Sequence, residues 1–160
     1  MQRKRFYATQ LMRLGFQALL YILIFAAYFA SSGGSTEDAV AVWGKSFPYL
    51  KPVDSPGETD KAYRNTQVSL TAAAFPSKLG VKLAGDPSTW FGKVTYTDGG
   101  GVKTIVIGGK QYTGVKIRSL LGLRSTVFTV TTKKDTITFT TNGYGHRVGM
   151  SQYGAEAMAL

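Results

Sequence analysis

The sequence predicts an α+β fold, a β-rich single domain of hairpins and short helices behind an N-terminal apolar segment. Runs of Val, Ile, Thr, Phe and Tyr bracket two turn strings, Asp98-Gly99-Gly100-Gly101 and Lys133-Lys134-Asp135. Such runs around turn residues read as β-hairpins. The short stretch after Thr71 ends at Gly80, as helices do when the chain reverses through a left-handed residue. The 160 residues are 44% hydrophobic and 12% aromatic, which suits one core, since a chain of this length buries roughly 70% of its unfolded surface.

Met1 to Arg13 is a basic leader, and Leu14 to Ala30 is an uncharged run of 17 residues. As a helix that run is about 26 Å long, short of a hydrocarbon core of roughly 30 Å. It has the character of an export signal or marginal anchor, although bulky Tyr28 and Phe29 stand where a cleavage site needs small residues. Ser35-Thr36-Glu37-Asp38 opens a short helix through Trp43, with a hydroxyl as N-cap and acids in the first turn. Tyr49 to Pro56 is extended and punctuated by Pro52 and Pro56. Asn65 to Leu70 alternates as a strand, and Thr71 caps a short helix that stops at Gly80. Lys93 to Thr97 pairs with Val102 to Ile107, and Thr126 to Thr132 with Thr136 to Thr141. Val115 to Leu121 is a helix that turns Ile117, Leu120 and Leu121 inward.

Charge narrows the partners. Residues 1–30 carry four bases and no acid, residues 31–60 five acids and two bases, and residues 61–150 thirteen bases and three acids. A basic body attracts polyanions, including the anionic polymers of a bacterial wall. No basic helix or aromatic RNA-binding motif accompanies the charge, so nucleic acid is not an expected partner. There is no cysteine and one histidine, His146. Disulfides are excluded, and no metal or other cofactor is expected from so few ligands. Gly99 to Gly101 is a hairpin turn, because no GK[ST] follows it to make a phosphate loop.

The densest pattern is the run from Asn142 to Ala155, where glycines 143, 145, 149 and 154 alternate with the polar groups of His146, Ser151, Gln152 and Tyr153. A strand leaving into Gly-rich backbone and then a helix from Ser151 places His146 in a loop at the strand's exit, with Ser151 as N-cap. A Ser-His-acid triad is not expected, since no GxSxG occurs and Asp54 is far away in sequence.

The run GYGHRVGMSQYGAEAMA closely resembles the C-terminal signature of the stage II sporulation protein D family, which includes lytic transglycosylases and amidase enhancers. SSGGSTEDAVAVWG at 31–44, YLKPVDSP at 49–56 and TGVKIRSLLGLRSTVFTV at 113–130 match in the same order. The resemblance covers roughly residues 27–159 and divides the chain into residues 1–26, a leader and apolar segment, and 27–160, a domain that is N-terminally incomplete. It also reads Ala27 to Gly34 as a strand and turn of the domain, in competition with an anchor.

The resemblance implies a sporulation-associated domain that binds or remodels peptidoglycan, with glycan strands as partner and His146, Ser151, Gln152, Tyr153, Tyr49, Asp54 and Ser55 as substrate-binding residues. In the family a glutamate in an Ala-Ala-Glu-Met-like helix protonates the glycosidic oxygen. Glu37, Glu58 and Glu156 all fall outside that motif, so no catalytic residue is assigned and a truncated or frame-shifted start is expected. The alternative is a membrane-tethered amidase enhancer or scaffold without chemistry of its own. Either reading puts the protein on the outer face of the cell membrane if residues 1–26 act as an anchor.

Overall fold

The computed structural model describes residues 24–58 and 63–160. Most of the basic leader and apolar run lies outside these residues. No helix among the described residues is long and apolar enough to cross a membrane. The part of the run that is described belongs to the domain, because Tyr28–Phe29 forms strand β1.

The architecture is mixed, as the patterning predicts. After β1 come α1 (Ala39–Trp43), β2 (Thr66–Thr71), α2 (Phe75–Leu79), a 3-10 turn (Pro87–Thr89), β3 (Phe91–Tyr96), β4 (Val102–Ile107) and β5 (Lys110–Thr113). Then follow α3 (Gly114–Leu121), β6 (Val127–Lys133), β7 (Thr136–Asn142), β8 (Met150–Ser151) and α4 (Gln152–Ala159). Strands β2-β7-β6 and β3-β4-β5 make two antiparallel sheets, and β1 and β8 pair in parallel.

Period-two alternation decides which face of the first sheet is inside. In β7 the residues Ile137, Phe139 and Thr141 are buried, and Phe139 stands between Val68 of β2 and Val130 of β6. The core grows outward from Phe75, whose ring lies 5.8 Å from Phe139 and 6.3 Å from Trp90. Ile105, Ile107, Ile117 and Leu121 complete it. A smaller cluster of Ala39, Leu50 and Val148, flanked by Val42, Trp43 and Phe47, anchors α1.

Three local expectations need correction. The cap of α1 is Asp38, whose carboxylate accepts from the Val40 amide at 2.7 Å. The upstream residues are held in bridges instead, Ser35 against Asp54 and Glu37 against Val148, so the helix starts later than its hydroxyls suggest. Thr71 accepts from the Ala74 amide in the turn before α2, and the helix itself has no side-chain cap. Strand β5 was not expected. It returns from β4 through Gly108-Gly109, both at positive φ, the geometry of a tight hairpin turn.

Candidate functional site

The signature run follows β7 directly, and its backbone is stitched to the Ser31 turn. Ser31 and Tyr144 exchange both backbone hydrogen bonds, at 3.1 and 2.8 Å, and the amides of Met150 and Tyr153 donate to Ala27 and Ala30. Gly149 permits this contact, because its φ is +84° and a Cβ there would lie 2.2 Å from the Ala27 carbonyl oxygen. The helix α4 then begins at Ser151, whose hydroxyl accepts from the Gly154 amide at 3.2 Å. That cap is the one expected.

Two buried carboxylates lie under the loop. Glu58 is 3% exposed and takes four hydrogen bonds. Ser31 Oγ and the Ser32 amide donate to Oε2 at 2.7 and 2.8 Å, and Ser55 Oγ and Ser151 Oγ donate to Oε1 at 2.9 and 2.5 Å. Burial is the largest single influence and raises the carboxyl's pKa, but the bonds from Ser151, Ser32, Ser31 and Ser55 together hold it below the ordinary glutamate value. An ionised, fully engaged carboxylate ties the Ser31-Ser32 turn, the Pro-punctuated segment and the start of α4 into one unit. It is poorly suited to be a proton donor.

Glu37 is 1% exposed and pairs with Arg147, which is equally buried, at 3.5 Å. The hydroxyl of Thr97 donates to Glu37 Oε2 at 2.6 Å. Arg147 extends the network, with Nε donating to Ser32 O at 2.7 Å and Nη2 to Ser35 O and Gly99 O at 2.7 and 2.5 Å. A Cβ at Gly99 or Gly101 would fall 2.8 Å from a Glu37 oxygen. These glycines therefore serve a close approach of the β3-β4 turn to this pair as well as a turn.

His146 sits half-buried between Phe29 and Trp43, with ring centroids at 5.8 and 5.0 Å. Its Nδ1 accepts from the Val148 amide at 3.1 Å, which leaves the proton of the neutral ring on Nε2. Burial lowers its pKa first and the charge of Arg118 lowers it further, against a backbone hydrogen bond with Tyr28. Gln152 is exposed, and Tyr153 is partly exposed with its ring 5.3 Å from Tyr63. Tyr49 is half-exposed, and its hydroxyl accepts from the Phe25 amide at 2.7 Å. Asp54 is exposed.

His146 lies on the signature loop against Phe29 and Trp43, while Ser151, Gln152 and Tyr153 open the helix that follows it, with Tyr153 against Tyr63. The structure joins Ser55 to Ser151 through Glu58 and leaves Tyr49 and Asp54 on flanking segments. Ser55 and Ser151 are buried and act on Glu58, so they reach the surface only through the geometry they hold. Sequence reasoning gave no site role to Glu58, Arg147, Tyr63, Tyr144 or Arg118. The clearest available signal was the arginine inside a glycine-rich run. A cleft of about 440 Å³ opens between α1 and the β3-β4 hairpin, lined by Glu37, Asp98 and Val115 among others, and none of the expected site residues lines it.

No family model matches the chain. It is 49% identical over 135 residues to the stage II sporulation protein D of Bacillus subtilis (strain 168) and 45% identical over 135 residues to that of Bacillus amyloliquefaciens. Each match takes in 84% of this chain and 39% of the relative. An amidase enhancer of Bacillus subtilis (strain 168) is 30% identical over 197 residues, covering 86% of this chain and 27% of that protein. Over the matched residues the chain is a member of the stage II sporulation protein D and amidase enhancer family, as its ordered motifs imply. It spans about two fifths of the length of the two sporulation proteins.

Proposed function

We propose that this chain is a sporulation-associated cell-wall domain that binds the glycan strands of peptidoglycan at the signature loop and does not cleave them by itself. The observation that carries the reading is the loop's construction. His146, Gln152, Tyr144 and Tyr153 offer hydrogen-bonding groups and ring faces at the surface, while Glu58 and Arg147 fix the backbone beneath them. Sugars are held by this combination of polar groups and aromatic faces. Cleavage of a glycosidic bond needs a protonated acid near the leaving oxygen. Glu58 is held ionised, Glu37 is paired with Arg147, and Glu156 is exposed on α4.

The test is binding of the full chain to denuded glycan strands, with mass spectrometry of the products. Affinity lost on Gln152→Ala or His146→Ala, with no anhydro-sugar products from the unaltered chain, is the expected result. Anhydro-muropeptides that vanish on changing Glu37 or Glu156 would overturn the non-cleaving part. A second reading, in which the domain stimulates a cell-wall amidase, is favoured by the relative named for that effect. Cofractionation with an amidase that survives Gln152→Ala would support it. Attachment to the cell membrane through residues 1–26 belongs to the same proposal and is tested by carbonate extraction of the full chain.

A further inference from the structure

The cleft between α1 and the β3-β4 hairpin is lined by none of the groups proposed to hold a glycan. Its volume of about 440 Å³ falls within the roughly 300–1,000 Å³ of small-molecule sites. The walls are apolar and open to solvent. Val40 is 48% exposed, Tyr96 60% and Val115 36%, and Val42 and Val102 complete them. Three exposed large apolar side chains around one concavity are area that a bound ligand removes from water.

Most charged and threonine groups of the lining are already committed. Glu37 holds Arg147 and Thr97, and Asp38 caps α1 and pairs with Lys51 at 2.9 Å. Thr113 caps α3, and Thr104 bonds to Thr95 at 2.6 Å. That leaves three groups. Asp98 in the hairpin turn and Lys103 on β4 are exposed, and no hydrogen bond or ion pair among the described residues engages either side chain. Thr126 is only 8% exposed, and its hydroxyl likewise has no partner among the described residues. Buried hydroxyls are normally bonded, so this one marks a place for a polar group of a ligand.

A free carboxylate, a free ammonium and a buried hydroxyl therefore share one apolar-walled cleft. A simple cation would meet Asp98 but face Lys103, and a simple anion the reverse, whereas a zwitterion satisfies both. We propose that the cleft binds a short peptide with both termini free and an apolar side chain. Its ammonium lies against Asp98, its carboxylate against Lys103, its side chain between the apolar walls and its peptide group at Thr126. Hydrolysis of an amide bond is what leaves a free amine on a peptide, so that class of reaction supplies the ligand. The inference goes beyond the glycan reading and does not depend on it.

The experiment follows the backbone amide signals of the full chain by NMR during titration with Leu-Leu, N-acetyl-Leu-Leu, Leu-Leu amide and Gly-Gly. Leu-Leu should shift the signals of α1 and of Tyr96 to Asp98 and leave those of Gly145 to Gly149 in place. It should bind about three- to fivefold more tightly than either blocked form, the scale of an exposed ion pair. Gly-Gly, without an apolar side chain, should bind at least about tenfold more weakly. Asp98→Asn should erase the preference for the free amine and keep that for the free carboxylate, and Lys103→Gln should do the reverse. Ala41→Phe, at an exposed position of the lining, should fill the cleft and abolish binding of every peptide.

Equal affinity for Leu-Leu and its blocked forms would overturn the zwitterion assignment. Shifts centred on the signature loop, binding that survives Ala41→Phe, or no response to any peptide would overturn the site. If the cleft signals move with protein concentration alone, its occupant is a second copy of the chain and the peptide proposal is wrong. Glycan binding is read by its own assay and stands or falls without these results.

Discussion

The Phe75 core and the Glu58-Arg147 network are both closed to solvent, yet they are held by different physics. The core is stacked rings and aliphatic side chains, where stability follows the apolar area removed from water and the fit of shapes. The network is two carboxylates and a guanidinium under a loop, where each group needs its particular partners to offset lost hydration. The core can accept a similar shape, whereas the network depends on matching donors to acceptors. The exposed groups of the candidate site stand over the network, so the region with the narrowest tolerance positions the surface proposed to bind.

Arg147→Met tests the difference most severely. It strands the Glu37 carboxylate in a dry site and takes donors from the carbonyls of Ser32, Ser35 and Gly99. The expected loss is about 3–5 kcal/mol of unfolding free energy, read by denaturant titration. Adding Glu37→Gln should recover part of it, because the uncompensated charge goes too. A loss below about 1 kcal/mol would erase the distinction between the two regions.

Glu58→Gln comes next. Gln keeps the shape but presents an amide NH₂ where the carboxylate accepted, and the Ser32 amide cannot reverse its role as a hydroxyl can. About 1–3 kcal/mol should be lost at neutral pH. The unaltered protein should lose this stabilisation on acidification. A carboxyl whose folded pKa lies below its unfolded value of 4.5 stabilises above that value, and the effect fades as pH falls through the folded pKa. The Gln variant should lack that part of the acid transition. In the core, Ile137→Val should cost only about 0.5–1.5 kcal/mol although Ile137 is fully buried.

The same division explains what the sequence made legible. Hairpins, the α3 helix with Ile117 inward and the Ser151 cap follow from periodicity and local turn chemistry, which a short window of sequence contains. The membrane-like run did not separate itself from strand β1, since hydropathy cannot distinguish an apolar anchor from a buried edge of a domain. The polar network was illegible for a different reason. Glu58 and Ser151 are 93 residues apart and Arg147 and Ser32 are 115 apart, so only the tertiary fold shows that these groups meet. Arg118 was hidden likewise, inside a stretch matched to the family at 113–130 with no role given to the arginine.

The smallest effect concerns His146, which belongs to neither region fully: its ring packs on Phe29 and Trp43, and its Nδ1 accepts from the Val148 amide. Protonation would cancel that acceptor and add a charge near Arg118, while burial already disfavours the charged ring. The folded pKa therefore lies below the unfolded value of 6.5, and the unfolded chain takes up the proton first as pH drops. Stability from this residue is complete above the unfolded pKa and declines as pH falls from there toward the folded pKa. Half-exposure lets water screen the effect, so it should be the faintest of the series. Nitrogen NMR of the ring should show the Nε2-protonated tautomer at pH 7 and a titration midpoint below 6.5. Arg118→Gln should move that midpoint upward by removing a neighbouring charge. A midpoint at or above 6.5 in the unaltered protein would mean that His146 is more solvated than its aromatic neighbours imply.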